Sequence, residues 1–463
     1  MSNLFGSMSI ALQSLLTQQG TLGVVANNIA NANTPGYFRE IPNMEETPPV
    51  IRGNVLVGTG VTMAHVQSVR DDVLNLRIQQ ETQQQSGLNS YLESMNQVQA
   101  VFNEIQGGGL QSVLSSFFSS FQSLAADPTN SFLRQGVITA GQNLANVFKQ
   151  TSQKLATIQQ GLDKSVVQTV TQVNQLSSQI ANLNKQIQAV SSSGQDAGPL
   201  LNQRDQPLQN LSHLVDTAVI CAGDGTVSVT TTNGALLVEG NQSQPLTVQI
   251  DSSGMHDVFS QGTDITAAIT GGELRGHLNA RDGEIPTTQS ALNNLAASLT
   301  SAVNAQQRAG FDLSGVKGQD FFDPFAPPAP GSNACAALAM VVAVTNRDQV
   351  AASSDGTAGS GGNARALAGF QNQPIVSGQT IADYYSNLVL QVGNTVSNAS
   401  AEQDAVKMVL QQLKNQQSAI SGVSLDEEAT NLILYQRAYE AAARVMSVVE
   451  ELTSTTIPMF TPS

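Results

Sequence analysis

The stretch LFGSMSIALQSLLTQQGTLGVVANNIANANTPGY, residues 4–37, decides how this chain must be organised. Large apolar residues recur in it at spacings of three and four, and after Leu4 one subset falls seven residues apart: Met8, Leu15, Leu22 and Ile29. This periodicity predicts an amphipathic helix with one apolar face. No charged residue occurs before Arg39, so this helix needs a partner to cover its apolar face.

The helix cannot extend beyond Asn33. Pro35 cannot continue a helix, and Pro35-Gly36 suits the two central positions of a tight turn. The asparagines that precede the turn also weaken helicity. We therefore predict a long helix that ends in a forced turn.

Composition limits the possible functions. The chain has 463 residues, enough for roughly three domains. Charged residues make up only 12%, against the ~25% usual in soluble domains. A surface rich in uncharged polar residues suits a close-packed polymer contact, and it equally suits an ordinary soluble surface.

Charge and hydropathy argue against two classes of partner. The net charge of -15 and the scattered basic residues argue against nucleic-acid binding. No segment approaches the ~18 apolar residues needed to cross a bilayer, so we expect no membrane insertion. The first residues lack the features of a cleaved signal peptide, so export would require another route.

Cys221 and Cys335 are far apart in the sequence and belong to no CxxC motif. We expect two buried structural thiols, with a disulfide as the alternative.

The middle of the chain is predicted to form a helical body with a β insertion. Helical spacing breaks at Asp127-Pro128 and resumes near Phe132, then continues as a coiled-coil seam from Leu155 to Val190. Alternating β-branched residues predict a small β domain over 217–269, with strands near 226–231 and 246–250. A hairpin is expected near 55–61, an apolar strand near 338–344, and further helices over 290–307 and 381–420.

The last helix begins at a capping box in which Ser424 caps the helix and Glu427 lies three residues later. We attribute the acidic triplet Asp426-Glu427-Glu428 to the helix dipole. A second apolar seam follows at seven-residue intervals: Leu425, Leu432, Tyr439 and Met446. We expect the two terminal seams to form a parallel or antiparallel coiled coil that packs on the same pair in adjacent subunits. The alternative is a helix pair that only closes a core within one chain.

No catalytic, cofactor or metal site emerges from the sequence. The four histidines are dispersed, without an HExxH pair: His65, His213, His256 and His277. The nucleophile elbow, the phosphate-binding loop and the dinucleotide fingerprint are missing as well. We therefore expect a protein that is not an enzyme and holds no cofactor.

Residues 26–37, ANNIANANTPGY, resemble the signature of the flagellar rod, hook and hook-associated axial proteins. The matching residues are Asn27, Asn28, Asn31, Asn33, Thr34, Pro35, Gly36 and Tyr37. Residues 421–439 and interior pairs such as Arg281-Asp282 and Phe321-Phe322 resemble the hook-associated members, so the likeness covers nearly the whole chain. Phe38 departs from the small hydroxyl residue that is usual before the arginine. The chain is also short for the family, which indicates a reduced or missing outer domain.

The resemblance implies a mainly α fold with inserted β, in an elongated, multidomain axial protein. It would comprise a terminal coiled-coil assembly domain, a long helical-bundle domain and an outer β-rich domain. Their expected bounds are 1–36 with 424–463, 37–205 with 272–310 and 379–423, and 206–271 with 311–378.

The implied function is that of a structural subunit that joins hook to filament as a ring of identical copies. Its implied partners are the hook protein, a second hook–filament junction protein and a cytoplasmic export chaperone that holds the C-terminal seam. It would leave the cell through the flagellar type III apparatus and reside outside the cell on the flagellum. The alternatives are a hook or rod subunit, or a secreted surface adhesin or binding module that uses the β region.

Overall fold

The computed structural model describes residues 2–34, 36–52, 55–103, 108–193, 197–325 and 332–456. Long helices dominate these residues, and small antiparallel sheets interrupt them. The predicted fold class, mainly α with inserted β and paired terminal helices, is confirmed. Pro35 lies outside the described residues.

The helices are α1 Ser2–Asn31, α2 Asp72–Val101, α3 Leu110–Ala126, α4 Ser131–Ser192, α5 Gly198–Leu214, α6 Gly272–Leu278, α7 Ile285–Ala309, α8 Ala336–Ala339, α9 Gly362–Gly369, α10 Ile381–Ser421 and α11 Leu425–Thr456. A π-helical segment, Asn279–Glu284, joins α6 to α7. The strands are β1 Glu40–Glu46, β2 Val50–Arg52, β3 Val55–Val57, β4 Val61–Ser68, β5 Ala218–Cys221, β6 Val227–Thr230, β7 Leu236–Glu239, β8 Gln242–Ser243, β9 Leu246–Ile250, β10 His256–Ser260 and β11 Thr263–Asp264. Strand β1 pairs with β4 and β2 with β3, while β5–β8 and β9–β11 form two antiparallel sheets.

Several helix boundaries follow from local chemistry. Helix α1 ends at Asn31, within the limit that the turn imposes. The break at Asp127-Pro128 separates α3 from α4, and the Asn130 side chain caps α4 by accepting hydrogen bonds from the backbone nitrogens of Phe132 and Leu133. The long helices α10 and α11 also begin where the apolar patterns predicted them.

The first hydrophobic core lies among α2, α3, the first half of α4, α7 and α10. A phenylalanine cluster fills it, with ring centroids 5.3 to 5.9 Å apart between Phe117, Phe121 and Phe321. The buried Asn304 side chain accepts hydrogen bonds from the backbone nitrogens of Phe321 and Phe322, both at 2.9 Å. It also donates to the Phe322 carbonyl at 2.8 Å, so one side-chain amide holds the backbone that carries both rings.

Residues 311–378 contribute buried side chains to this first core, among them Phe321, Val350 and Leu367. The strand expected near 338–344 is wrong: the segment contains the end of α8 and an isolated bridge between Phe322 and Val342. Alanine favours helix over strand, which explains the short helix. The domain bounds drawn from the sequence stay a prediction, and we propose that 311–378 belongs with the helical body.

The second core forms where the predicted seam of α4 meets the β insertion. Val166, Val173 and Ile180 are fully buried and share this core with side chains of α5, α6 and the sheets. Asn184 of α4 donates to the carbonyls of Val227 and Gly240 at 2.7 and 2.6 Å. The heptad pattern therefore marks the buried face of α4, which packs against strands and short helices together.

A buried arginine ties the β insertion to α4. Arg281, 1% exposed, lies in the π-helical segment and donates to Asp163 Oδ1 of α4 at 2.8 Å and to the His256 carbonyl at 2.7 Å. The backbone nitrogen of His256 also donates to Asp163, at 2.7 Å. Burial raises the pKa of Asp163, but the hydrogen bonds from His256 and the charge of Arg281 outweigh it, so this pKa lies below the ordinary 3.8.

Both cysteines are exposed and free, so the expectation of buried thiols is wrong, and the disulfide alternative is not found either. Cys221 ends β5, the edge strand of its sheet, and Cys335 precedes α8 in a left-handed conformation at φ 66°. Among the described helices, none combines the length and the apolar character that crossing a bilayer requires.

We expect Asp163→Asn to lower the free energy of unfolding by roughly 1.5 to 3 kcal/mol at neutral pH, because the buried Arg281 loses its charged hydrogen-bond partner on α4 and keeps the one at Asp282. A carboxyl with a depressed folded pKa stabilises above its unfolded pKa and loses this effect as pH falls through the folded pKa. The difference from wild type should therefore shrink below pH 3.8. Urea denaturation across pH measures it, with the exposed Asp404→Asn as control. An equal loss in both variants would contradict the expected role of Asp163.

Candidate assembly interface

Helices α1 and α11, which we name the terminal pair, pack along each other. Just beyond the end of α1, Arg39 Nε lies 2.8 Å from Glu428 Oε1 and Arg39 Nη1 lies 2.6 Å from Glu427 Oε2, both in the first turn of α11. The end of one helix therefore lies beside the start of the other. The expected pairing of the chain ends is confirmed, and its sense is antiparallel.

Asn28 holds the segment that follows α1 against the end of that helix. Its side chain, 1% exposed, donates to the Glu40 carbonyl at 2.8 Å and accepts from the Glu40 backbone nitrogen at 2.9 Å. Its Oδ1 also accepts from the Tyr37 hydroxyl at 2.8 Å. Burial and the carboxylates of Glu40 and Glu428 raise the pKa of Tyr37, so this hydroxyl keeps the proton that it donates.

The other signature residues hold the turn in place. Asn31 donates to the carbonyl and side-chain oxygens of Asn27, both at 3.0 Å, and accepts from the Thr34 hydroxyl at 3.1 Å. Asn27 in turn donates to Glu40 Oε2 at 3.2 Å. Gly36 adopts φ 79°, a conformation that glycine takes without strain. Asn33 is exposed.

Phe38, the departure from the family pattern, is buried at 4% exposure and lies 4.6 Å beneath the Arg70 guanidinium. Arg70 also pairs with Asp205 of α5 at 2.8 Å. From the same helix, Asn202 donates to Glu40 Oε1 at 3.1 Å. These contacts join the signature segment to the helical body. Sequence reasoning missed Arg70, which no local motif marks.

The capping box at α11 is half formed. Ser424 Oγ accepts from the Glu427 backbone nitrogen at 3.5 Å, but the Glu427 carboxylate binds Arg39. Glu428 is only 1% exposed. The helix-dipole interpretation of the acidic triplet was therefore incomplete, because two of its three carboxylates bind an arginine that is remote in sequence.

The predicted seam residues lie at the border of the terminal pair. Half-buried members are Leu4, Leu15, Leu22, Leu432 and Met446. More exposed members are Met8 and Ile29 at 37%, Tyr439 at 40% and Leu425 at 55%. Their role in contacts between copies stays a prediction.

Two apolar stripes of the terminal pair face solvent. On α1 the stripe comprises Phe5, Leu12 and Leu16, 50 to 61% exposed, and on α11 it comprises Leu434, Val445, Val448 and Leu452, 49 to 60% exposed. Spacings of three, four, seven and eleven residues place each set on one helix face. The opposite face of α1 holds the buried Thr21, Val24 and Val25. Periodicity alone could not tell which apolar positions the partner helix covers.

Exposed apolar surfaces of this extent mark interaction sites. Among the described residues no cluster of histidine, cysteine, aspartate and glutamate could hold a metal ion. The geometry therefore favours assembly as the role of the terminal pair.

Comparison with known proteins agrees along the whole chain. The profile "Flagellar hook-associated protein FlgK helical domain" matches residues 95–322. "Flagella basal body rod protein" matches 8–37, and "Flagellar basal body rod FlgEFG protein C-terminal" matches 416–459. The two rod-type matches thus coincide with the terminal pair.

Relatives match over nearly their full length. Flagellar hook-associated protein 1 of Bacillus subtilis (strain 168) is 30% identical, with 98% of this chain and 97% of the relative covered. The protein of that name in Escherichia coli (strain K12) is 27% identical, with 96% and 97% covered. The solved hook junction protein FlgK from Burkholderia pseudomallei aligns with a TM-score of 0.65 at 19% identity, over 74% of this chain and 100% of that one, and supports the fold.

We expect Arg39→Met to open the terminal pair, because it leaves the Glu428 carboxylate buried without its partner, at a cost of roughly 3 to 5 kcal/mol. Hydrogen exchange of the purified chain should quicken in α1 and α11 and stay unchanged in α4. The exposed Arg77→Met, in α2, serves as the control. Unchanged protection of α11 in the Arg39 variant would contradict the role of this ion pair.

Proposed function

The chain belongs to the family of flagellar hook-associated protein 1, and from this membership we propose that it forms the junction between hook and filament as a structural subunit of the bacterial flagellum. The relatives that match it along almost the whole length are structural flagellar proteins rather than enzymes. The helical-domain match to a hook-associated protein favours the junction over a hook or rod subunit, and over a secreted adhesin.

The observation that carries the assembly mechanism is the pair of exposed apolar stripes on α1 and α11. Burial of one large apolar side chain contributes about 1.5 to 3 kcal/mol. The stripes together hold seven such side chains. Contact between the terminal pairs of adjacent copies would remove them from water, and the predicted seam residues at the border of each pair would lie within that contact.

The proposed partners follow from the position at the junction. Identical copies would form a ring that contacts the hook protein on one side and a second hook–filament junction protein on the other. Before export, a cytoplasmic chaperone would cover the α11 stripe, which otherwise invites aggregation. Export through the flagellar type III apparatus would place the subunit outside the cell.

We expect the double substitution Leu434→Asp and Val448→Asp to abolish filament attachment, because two carboxylates would lie in an apolar contact. Both side chains are more than half exposed in the single chain, so the thermal midpoint of the monomer should change little. Electron microscopy of cells that carry the variant gives the fraction with filaments, expected to fall at least tenfold.

Ile220→Asp provides the matched control, since this side chain is 61% exposed but lies on β5, away from the terminal pair. It should leave filament attachment at the wild-type level. Normal filaments in the α11 variant would contradict assembly through the terminal stripes.

A further inference from the structure

A cleft opens between α2, α4 and α6, on the flank of the helical body. It has a volume of about 250 Å³, and side chains of all three helices line it. At about 30 Å³ for each molecule of liquid water, this volume corresponds to roughly eight waters. The space suits the head of one long side chain and is too small for a helix or a strand. We name it the α6 cleft.

Two carboxylates give the α6 cleft a negative charge. Glu93 of α2 is exposed, and Glu273 of α6 is half-buried. His277 Nε2 lies 3.4 Å from Glu273 Oε1, and this hydrogen bond lowers the pKa of Glu273 below its ordinary 4.5 against the effect of burial. Among the described residues that line the cleft, none is a lysine or an arginine. The two carboxylates therefore have no basic side chain beside them.

The ring of His277 adds an unpaired hydrogen-bond acceptor to the same cleft. This residue is 9% exposed, and its Nδ1 has no hydrogen-bond partner within the described part of the chain. Because the Glu273 carboxylate favours the proton on Nε2, the neutral ring leaves Nδ1 as an acceptor. A buried polar atom without a partner is costly, so a ligand that donates a hydrogen bond to it would be favoured.

Two hydroxyls in the cleft also present acceptors. Ser94 Oγ donates to the Ser90 carbonyl at 2.6 Å, and Ser165 Oγ donates to the Gly161 carbonyl at 3.3 Å. Each hydroxyl proton is thus used within its own helix, and the oxygen lone pairs remain. A positively charged group with several N–H donors and no acceptor meets all of these groups. The lysine ammonium and the arginine guanidinium have this chemistry.

Close packing of α6 on α2 holds the cleft in shape. A Cβ atom added at Gly276 would lie 2.3 Å from the Gly87 carbonyl oxygen, so the two backbones are in contact there. Glu273 and His277 lie on either side of Gly276 in the sequence of α6. Their positions are therefore set before any ligand arrives, which lowers the entropic cost of binding.

Helix α4 carries matching positive charge on its surface. Its four lysines are all exposed, and none of them belongs to an ion pair among the described residues: Lys149, Lys154, Lys164 and Lys185. At 100° per residue, Lys149, Lys164 and Lys185 fall within roughly 60° of one another around the helix axis. We name these three the lysine row.

The lysine row and the α6 cleft lie on different sides of α4. The α4 residues that line the cleft include Ser165 and Gln172, and they lie on average roughly 110° around the axis from the row. Lys164, the member nearest in sequence, forms no ion pair with either cleft carboxylate within the described residues. One copy can therefore present its row to one neighbour and its cleft to another, and such unlike surfaces join copies head to tail into rings.

We propose that the α6 cleft of one copy receives a lysine side chain from the lysine row of the adjacent copy. This inference rests on the proposed function, since it requires copies to stand side by side. It adds to the contact between terminal pairs a directional contact between helical bodies. Complementary charge of this kind fixes the register between neighbours and disfavours wrong ones.

Carbodiimide crosslinking of isolated flagella tests the contact, because this reagent joins a carboxylate to an amine that touches it. A product of twice the chain mass should appear on a denaturing gel. Mass spectrometry of its peptides should find Glu93 or Glu273 joined to a lysine of the row.

A link confined to the single chain, such as Glu93 to Lys164, would overturn the proposal. A link from the cleft to a protein of different mass, or no link at either carboxylate, would overturn it as well. These outcomes leave the junction function intact. Flagella that carry filaments but lack the chain would instead refute the proposed function itself.

Charge reversal provides an independent test. Glu93→Lys should reduce filament attachment at least fivefold, because like charges then meet across the contact. Since Glu93 is exposed, the melting temperature of the monomer should stay unchanged. A second substitution to glutamate at the crosslinked lysine, such as Lys164→Glu, should restore attachment. Asp404→Lys, at an exposed position of α10, is the control and should attach filaments like wild type. Full attachment in Glu93→Lys, or no rescue by the second substitution, would overturn the proposal.

Discussion

The ion pair between Arg39 and Glu428 joins residues 389 positions apart and sets how the two ends of the chain meet. A carboxylate that is 1% exposed requires a matching cation and hydrogen bonds, so the start of α11 is held against the segment that follows α1. Asn28 completes the constraint by binding both backbone groups of Glu40. The β1–β4 strand pair, the terminal pair and the helical body then meet at one point, which fixes the direction in which the apolar stripes face.

The helical body connects the small β insertion to the chain ends. Helix α4 has 62 residues and spans roughly 90 Å at 1.5 Å per residue. Its first half lies in the phenylalanine core and its second half in the core that the strands close. Buried polar groups fix each junction: Asn304 holds the Phe321 backbone, and Arg281 binds Asp163. One rigid element therefore carries both cores.

Periodicity predicted the long helices and the buried face of α4, because a helix of this length leaves its 3.6-residue repeat in the sequence. Which partner covers a face is a different matter. Of the heptad positions on α1, Leu15 and Leu22 proved half-buried and Met8 and Ile29 more exposed, while Leu12 and Leu16 face solvent. The helix that covers α1, α11, comes from the other end of the chain. Arg70 was missed for the same reason. The exposed cysteines and the helix at 336–339 show that short segments take their structure from tertiary context rather than from local composition.

The absence of charge from the first residues to Phe38 has a consequence for the environment in which the joint must hold. Helix α1 itself brings no charged side chain to a contact, so acidity and ionic strength act on the joint through α11 and the Arg39–Glu428 pair rather than through the α1 surface. Temperature acts on it instead, because hydrophobic attraction weakens on cooling. On the α1 side of the joint, cold rather than salinity or acidity is therefore the condition that weakens the contact.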